Sequence, residues 1–421
     1  MKRPAAKNYV MVNCPPPAQL PPLTECSVCK SKDLVVRDDE QPCDCTIVGS
    51  ESFEPMKTLR KICYHKDCRT THRGNFAYQD GAKVNTLTFN ELEKSGIYLV
   101  TTNFGFTMKY LKLTLCRFLR GNLAPGQETS VRGIVAEDTD RSIHPQRFQA
   151  HLMHALEGYA LAQRTPDEVV PFPLDRPSSY LKFSHAAFTF PPPQCIKALS
   201  FDGHFGAHRK LHPDHEAPRT VATRGRPKKK YHQDQRTCTC ADKERERATL
   251  KNRTAGWQFV IDPHSRHVVA AMEHTVNEST KEKVQLIMQT MQLKKVNPNL
   301  LIHDDACHFE QQILKSKQLK KTFKPIRHYV VDEFHRVNHK CSKKKLTRNE
   351  KKRLAKVRTN MSEVFNAWIR KKKIALNAMN PYSHRFWVQE SIRFWNQNLE
   401  TMPKYITRRS TATTRKRKAM K

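Results

Sequence analysis

The chain has 421 residues, with 75 lysines and arginines against 40 acids, a formal net charge of +35, and only 38% hydrophobic residues. So large a positive excess calls for a polyanionic partner, nucleic acid first and an anionic membrane surface second. No run approaches the roughly 18 apolar residues that span a bilayer, so no membrane-spanning helix is expected. Residues 1–22 are rich in proline and are expected to be disordered. The opening MKRPAAKNYVMVNCPPP lacks the apolar stretch of a secretory signal and carries a short basic motif, Lys2-Arg3-Pro4-Ala5-Ala6-Lys7. The closing RRSTATTRKRKAMK is a second basic cluster. Both read as nuclear targeting or phosphate contacts, with a solvated tail as the plain alternative.

The 13 cysteines are odd in number and follow no secretory signal, so metal is expected rather than disulfides. Cys26-Ser-Val-Cys29 is a C-x2-C knuckle, and Cys63 and Cys68 form a C-x4-C partner. Four thiolates make a closed structural zinc site. The 33-residue gap between the knuckles is long for a zinc ribbon but admits a hairpin. His65 is an alternative ligand, and Cys43 and Cys45 complete a second site or none. Residues 107–121 have apolar positions at helical spacing (Met108, Leu111, Leu115, Phe118, Leu119), then Gly121 as a C-cap. Residues 146–164 are a second amphipathic helix, and 166–194 read as a proline-rich linker.

A new domain starts near residue 195. An apolar strand, 195–203, ends in an Asp-Gly turn, and a polar, basic insertion covers about 207–255. Residues 256–274 predict a hairpin turning at Asp262-Pro263, and 277–295 a helix capped by Asn277 or Ser279. A strand at 299–302, a helix from about Asp304, a strand at 327–331, and helices at 361–377 and about 384–400 follow. This order is that of an RNase H-like α/β core, a mixed sheet with flanking helices, here joined to an N-terminal zinc-ribbon-like cysteine module. The expected division is a disordered terminus (1–22), a cysteine module with helical extension (23–165), a linker (166–194), the core (195–400) and a basic tail (401–421).

On such a layout Asp202, Asp304 and Glu363 stand at element ends on one edge of the sheet. Three carboxylates from distant elements can hold two Mg²⁺ or Mn²⁺ ions for phosphoryl transfer. Each acid also has a structural explanation: Asp202 in a turn, Asp304 or Asp305 as an N-cap, and Glu363 in a capping box with Asn360. Cys307, His335, His339 and Cys341 supply the ligand types of a Cys₂His₂ zinc site, with H-x3-H spacing. The alternative is a half-buried cysteine among unrelated surface histidines. In the insertion, 224-RGRPKKK-230 resembles an AT-hook for a narrow A·T minor groove, which nominates Arg224, Arg226, Lys228, Lys229 and Lys230 as DNA contacts. Cys238 and Cys240, with His212, His215 and His232 nearby, could bind a further zinc. The run 340–358 adds Lys343, Lys344, Lys345, Lys351, Lys352 and Arg353 as phosphate contacts.

The residues D-x-A-C at 304–307, V-D-x-F-H-x3-H-x-C-S at 331–342, and the Glu and Asn of 363-EVFN-366 resemble the Kyakuja–Dileera–Zisupton (KDZ) transposases. The segments 26-CSVC-29, 63-CYHKDC-68 and 238-CTC-240 resemble the cysteine clusters found with them. The resemblance implies a DDE-type, cut-and-paste DNA transposase with an RNase H-like core. Asp202, Asp304 and Glu363 would be its catalytic triad, with Asp305 as the fallback for Asp304. It also implies DNA as partner, a nuclear location and a homo-oligomer, because two transposon ends are cut together. A DNA-binding protein that has lost catalysis would share the same charge and zinc sites.

Overall fold

The structure, a computed structural model, describes residues 23–35, 43–50, 53–66, 68, 70–79, 82–121, 127–128, 145–169, 188–190, 196–204, 209–210, 253–254, 256–274, 280–333, 335–336, 339, 346–354 and 357–403. The chain forms two compact units, Met1–Pro177 and Ser178–Lys421.

The first unit contains two sheets. One has the order β1 (Leu34–Val35), β4 (Lys61–Cys63), β5 (Thr71–Arg73), β6 (Phe76–Gln79), β7 (Ala82–Asn85), antiparallel throughout. The other has the order β3 (Phe53–Thr58), β2 (Cys43–Val48), β9 (Phe104–Thr107), β8 (Ile97–Thr101), with β2 and β9 parallel. The long gap between the knuckles is thus filled by a hairpin, β2–β3. Cys45 belongs to its core, with Ile47, Phe76 and Leu99, and not to a metal cluster. Burial pushes the Cys45 thiol up to about 12, as expected of an inert core sulfur.

Gly74 and Asn75 join the two sheets. Asn75 accepts from Leu99 N at 2.6 Å and donates to Leu99 O at 3.2 Å, standing in for a strand neighbour. Gly74 has φ +51°, and a Cβ there would lie 2.5 Å from Leu99 Cδ1, so only glycine fits this turn. Among the described residues the unit also has the helices α1 (Phe89–Ser95), α2 (Met108–Cys116) and α3 (Pro145–Ala162). The stripe read at 107–121 is buried, but α2 ends in a π-helical turn, Arg117–Gly121, that keeps Phe118 and Leu119 inside.

The second unit is built on one six-stranded sheet, ordered β10 (Phe188–Thr189), β13 (Val268–His274), β12 (Gly256–Ile261), β11 (Ala198–His204), β14 (Leu300–His303), β15 (His328–Val331). The four strands on the β10 side pair antiparallel, while β11, β14 and β15 run parallel. Both faces are covered, which is why β12, β13 and β14 are buried at every residue. On one face Leu199, Phe201, Leu301 and Val331 meet α4 (Thr280–Lys294) and α5 (Ala306–Leu314) through Leu286, Ile287, Phe309 and Ile313. On the other, Phe259 packs edge-on to Phe365 of α8 (Met361–Arg370), 4.9 Å between ring centres. Phe365 in turn meets Trp395 of α10 (Pro381–Gln397) at 5.1 Å. Two short surface helices, α6 (Lys317–Thr322) and α7 (Arg348–Leu354), flank β15 in the sequence.

The hairpin, both parallel strands and the helices α4, α5 and α10 fall close to where the sequence predicted, while α6 and α7 have no counterpart in that reading. Three boundaries differ. The first strand does not end at the Asp-Gly pair: Asp202 and Gly203 remain in register with Phe259 and Gln258. Two residues of the expected linker form the edge strand β10, paired with β13. The helix expected over 361–377 breaks at Lys371-Lys372 into α8 and α9 (Lys373–Ala378). Lys372 is buried with its Nζ 3.7 Å above the Trp368 ring, a contact a continuous exposed lysine could not make.

The insertion leaves and rejoins the core at one point. Thr254 N donates to Arg209 O at 3.0 Å, and Lys210 and Arg253 form a bridge. Arg209 is fully buried, 2.8 Å from Glu273 on β13, which also holds Arg385 of α10 at 3.1 Å. Burying these ions is tolerable because each guanidinium is paired with the same carboxylate. The insertion's Arg224, Arg226, Lys228, Lys229, Lys230, Cys238 and Cys240 lie outside the described residues, as do Cys341 and Lys343–Lys345 and the side chain of Arg353.

Candidate functional site

Two clusters draw together the residues singled out in the sequence. In the first unit, the turn after Cys26 is closed by Lys30 N donating to Cys26 O at 2.9 Å, with Lys30 in the left-handed region (φ 62°). β1 then pairs Leu34 with Cys63, the last residue of β4, and a second turn returns Cys68. The four sulfurs meet: Cys26 to Cys68 and Cys29 to Cys63 are both 3.6 Å. A tetrahedral zinc with Zn–S of ~2.3 Å has S···S edges of ~3.8 Å, whereas a disulfide would need ~2.05 Å. The donor set and spacing therefore fit zinc. His65 takes no part in this cluster of four thiols, nor do Cys43 and Cys45. His72, which the sequence did not single out, lies beneath it with Nε2 3.3 Å from Cys26 Sγ. Burial, aided by Lys61, lowers the His72 pKa to about 4, so its ring is neutral and able to donate to a thiolate.

In the second unit the register builds the site. Ser200 pairs with Ile302, and Ile302 with Val330. Two residues further along each parallel strand come Asp202, Asp304 and Asp332. Asp202, inside β11, projects from the face that carries α8, while Asp304 and Asp332 lie just past the ends of β14 and β15. The side chains whose ligand atoms lie within 4.8 Å of one another here are Asp332, His335 and Glu363, without Asp202 or Asp304. Ser200 and Ser362 oxygens, 2.7 Å apart, fix the start of α8 on β11. One turn on, Asn366 Nδ2 donates to Asp202 Oδ2 at 2.9 Å. Glu363, on the same helix, lies 3.7 Å from His335 Nε2, and His335 Nδ1 lies 3.2 Å from Asp332 Oδ2.

The alternative explanations for these acids do not match the geometry. Asn360 makes no side-chain cap bond, so Glu363 is not half of a capping box. Asp305 occupies the cap position of α5 without a cap bond. It sits apart from the row, 2.5 Å from His308 Nδ1 and 4.0 Å from Lys283. Asp304 Oδ1 lies 2.9 Å from His303 Nδ1. Burial pushes the Asp304 carboxyl up, but His303, Lys283 and His335 outweigh it and hold it well below the carboxylate range. The hydrogen bond to Asp332, against the effect of burial and with help from the Asp304 and Glu363 charges, raises His335 to about 9. Burial raises Glu363, opposed by His335. The row concentrates negative charge, offset by His303, His335, Lys283 and Arg370, and an oxygen-rich donor set of this kind suits a divalent cation.

The predicted Cys307–His335–His339–Cys341 set is divided. Cys307 Sγ lies 3.7 Å from His339 Nδ1, and His339 Nε2 meets the Asp304 carbonyl at 2.7 Å. Both nitrogens of His335 instead face carboxylates, so it is removed from that set. His335 follows Asp332 by three residues in a tight turn, its N–H meeting Asp332 O at 3.2 Å, which aims the ring at α8.

Sequence reading missed Asp332. The signal was present: LSFD, LLIHD and YVVD are each an apolar strand ending in aspartate. It also missed a second basic face. Lys315, Lys317, Lys320, Lys321, Lys324 and Arg327 are all exposed, and no acid occurs between residues 311 and 331. Lys321, Lys324 and Arg327, with Asn297 and Asn299, line a cleft of about 610 Å³ at the start of β14 and β15, the opposite end from the aspartates. Lys351 and Lys352 are exposed on α7.

No family model, curated protein or solved structure matches this chain. No helix among the described residues is long and apolar enough to cross a membrane.

Proposed function

We propose that the chain is a metal-dependent DNA transposase of the DDE type with an RNase H-like core, of the KDZ kind. The observation that carries this reading is acids on successive parallel strands, Asp202 within β11 and Asp304 just past β14, with Glu363 on α8 close enough to Asp304 for their charges to interact. It is supported by the strand order: three antiparallel strands, β13-β12-β11, continue into the parallel β14 and β15, which is the RNase H-like arrangement. Asp202, Asp304 and Glu363 would hold two divalent ions, which supply Lewis-acid stabilisation of the attacking and leaving oxygens. Asn366 holds the Asp202 carboxylate in place. Water attacks a phosphodiester at the transposon end, releasing a 3′-hydroxyl. That hydroxyl then attacks a target phosphodiester, joining to its 5′-phosphate and expelling the target 3′-oxygen. The zinc module and the basic surfaces hold DNA, in the nucleus and as an assembly that brings two ends together.

Incubation of the purified protein with supercoiled plasmid and Mg²⁺ or Mn²⁺ tests the reading. Nicked and joined products are expected, and none with a chelator. Nicked products alone indicate a nuclease. DNA binding without cleavage indicates a protein that has kept only the binding role.

The basic face makes a separate prediction. Each lysine that neutralises a phosphate contributes about 0.9 to the slope of log K against log salt. The triple variant K320Q/K321Q/K324Q is expected to lower that slope by about 2–3 in a fluorescence-anisotropy titration of duplex DNA. An unchanged slope would remove this face from the contact surface.

A further inference from the structure

The two nitrogens of His335 have different neighbours, and the difference assigns roles. Nδ1 faces Asp332, which is buried at 6% exposure. Nε2 faces Glu363 Oε1 at 3.7 Å, and these two side chains remain open to solvent at 31% and 23%. Donors ~2.1 Å from one dication stand ~3.0 Å apart at an octahedral angle and ~3.4 Å at a tetrahedral one. Nε2 and Oε1 therefore close onto a single ion with a shift of a few tenths of an ångström. A histidine that binds a metal through one nitrogen donates its other N–H to a carboxylate, which fixes the tautomer and the ring plane. Asp332 is placed to accept that bond. One turn along α8, Asn366 is buried, with Nδ2 committed to Asp202 and Oδ1 without a hydrogen-bond partner among the described protein atoms. A buried acceptor of this kind is satisfied by ordered water or by an ion.

We propose that His335 Nε2 and Glu363 bind a transition-metal dication, that Asp332 orients the imidazole, and that this site takes Mn²⁺ in preference to Mg²⁺. Mg²⁺ favours oxygen donors and near-ideal octahedral geometry; Mn²⁺ shares the carboxylate preference but, as a transition-metal dication, also accepts an imidazole, though more weakly than Fe²⁺, Ni²⁺ or Cu²⁺. The inference rests on the metal-dependent reading above and changes it: one ligand is nitrogen, and a fourth acid supports the site from beneath.

The test is Mn²⁺ binding to the full-length, zinc-loaded protein, followed by the free-ion electron paramagnetic resonance signal, with pulsed spectra read for ¹⁴N coupling. Wild type is expected to show imidazole nitrogen coupling, and excess Mg²⁺ is expected to displace Mn²⁺ poorly. His335→Gln should lose the coupling and bind at least about tenfold more weakly. Asp332→Asn should keep the coupling but lose about 10–100-fold in affinity. Wild-type Mn²⁺ without ¹⁴N coupling overturns the proposal even if a variant fails to fold. So does a folded His335→Gln that binds as wild type does. If Asp304→Asn weakens Mn²⁺ binding while His335→Gln does not, the acid row holds metal without the histidine. The proposal then fails while the catalytic reading stands. No Mn²⁺ binding by wild type removes both.

Discussion

Replacing Asp304 by asparagine is expected to lower metal-dependent strand cleavage by about 10³-fold or more, since an acid shared by two ions stabilises both the attacking and leaving oxygens. The substitution is nearly isosteric. Asp304 lies just past the end of β14, whose four residues are all buried, so the strand keeps its packing. DNA affinity, set by lysines and arginines elsewhere, should change by less than about twofold. Asp305→Asn is the matched control. Asp305 is adjacent in sequence and shares Lys283 with Asp304, but its carboxylate meets His308, beside Cys307. Cleavage by Asp305→Asn should stay within a few-fold of wild type. The comparison, made on one plasmid at one Mn²⁺ concentration, resolves which of the paired acids serves the metal. If both variants cut equally well, the row is not the catalytic centre. If only Asp305→Asn is inactive, Asp304 has been misassigned.

Stripping zinc from the first unit is expected to unfold its antiparallel sheet. β1 and β4 share two residue pairs and β4 and β5 another two, too few to persist alone. The four sulfurs tie both ends of this ladder to one point. Structural zinc sites of this type contribute an apparent 10–16 kcal/mol at neutral pH, so its loss exceeds the stability of an ordinary domain. Zinc release by a strong chelator, followed with a colorimetric indicator, should report one ion per Cys26–Cys29–Cys63–Cys68 cluster alongside loss of circular-dichroism signal. Cys29→Ser should do the same without chelator. A protein that keeps its melting temperature after complete metal removal would show that these thiols are packed and not bridged by metal.

How much of this was legible from the sequence depended on how local each signal is. Periodicity found the helices over 146–164 and 277–295, and turn chemistry found the hairpin at Asp262-Pro263, because both act within a few residues. The four-cysteine site was legible for the same reason. The acid row was only partly so. Asp202 and Asp304 were found as ends of apolar runs, but Asp332 was absorbed into a histidine–cysteine spacing that reads as zinc. What distinguishes the two readings is the parallel register of β11 with β14, 102 residues apart, and of β14 with β15, 28 apart, which no local pattern encodes. The break at Lys372 was hidden likewise, since a buried lysine above Trp368 looks in sequence like one more member of a basic helix.

The closed neck at Arg209 and Thr254 separates two histories within one chain. Residues 209 and 254 meet through Thr254 N and Arg209 O, and Arg209 is held by Glu273 of β13, so this junction is fixed to the sheet. Closing a loop costs only about 0.6 kcal/mol more for each doubling of its length. The segment can lengthen, shorten or exchange its sequence at little cost to the rest, while the acids beside β11 stay fixed. On the reading proposed above, substitutions in residues 211–252 alter DNA preference and leave the cleavage chemistry unchanged.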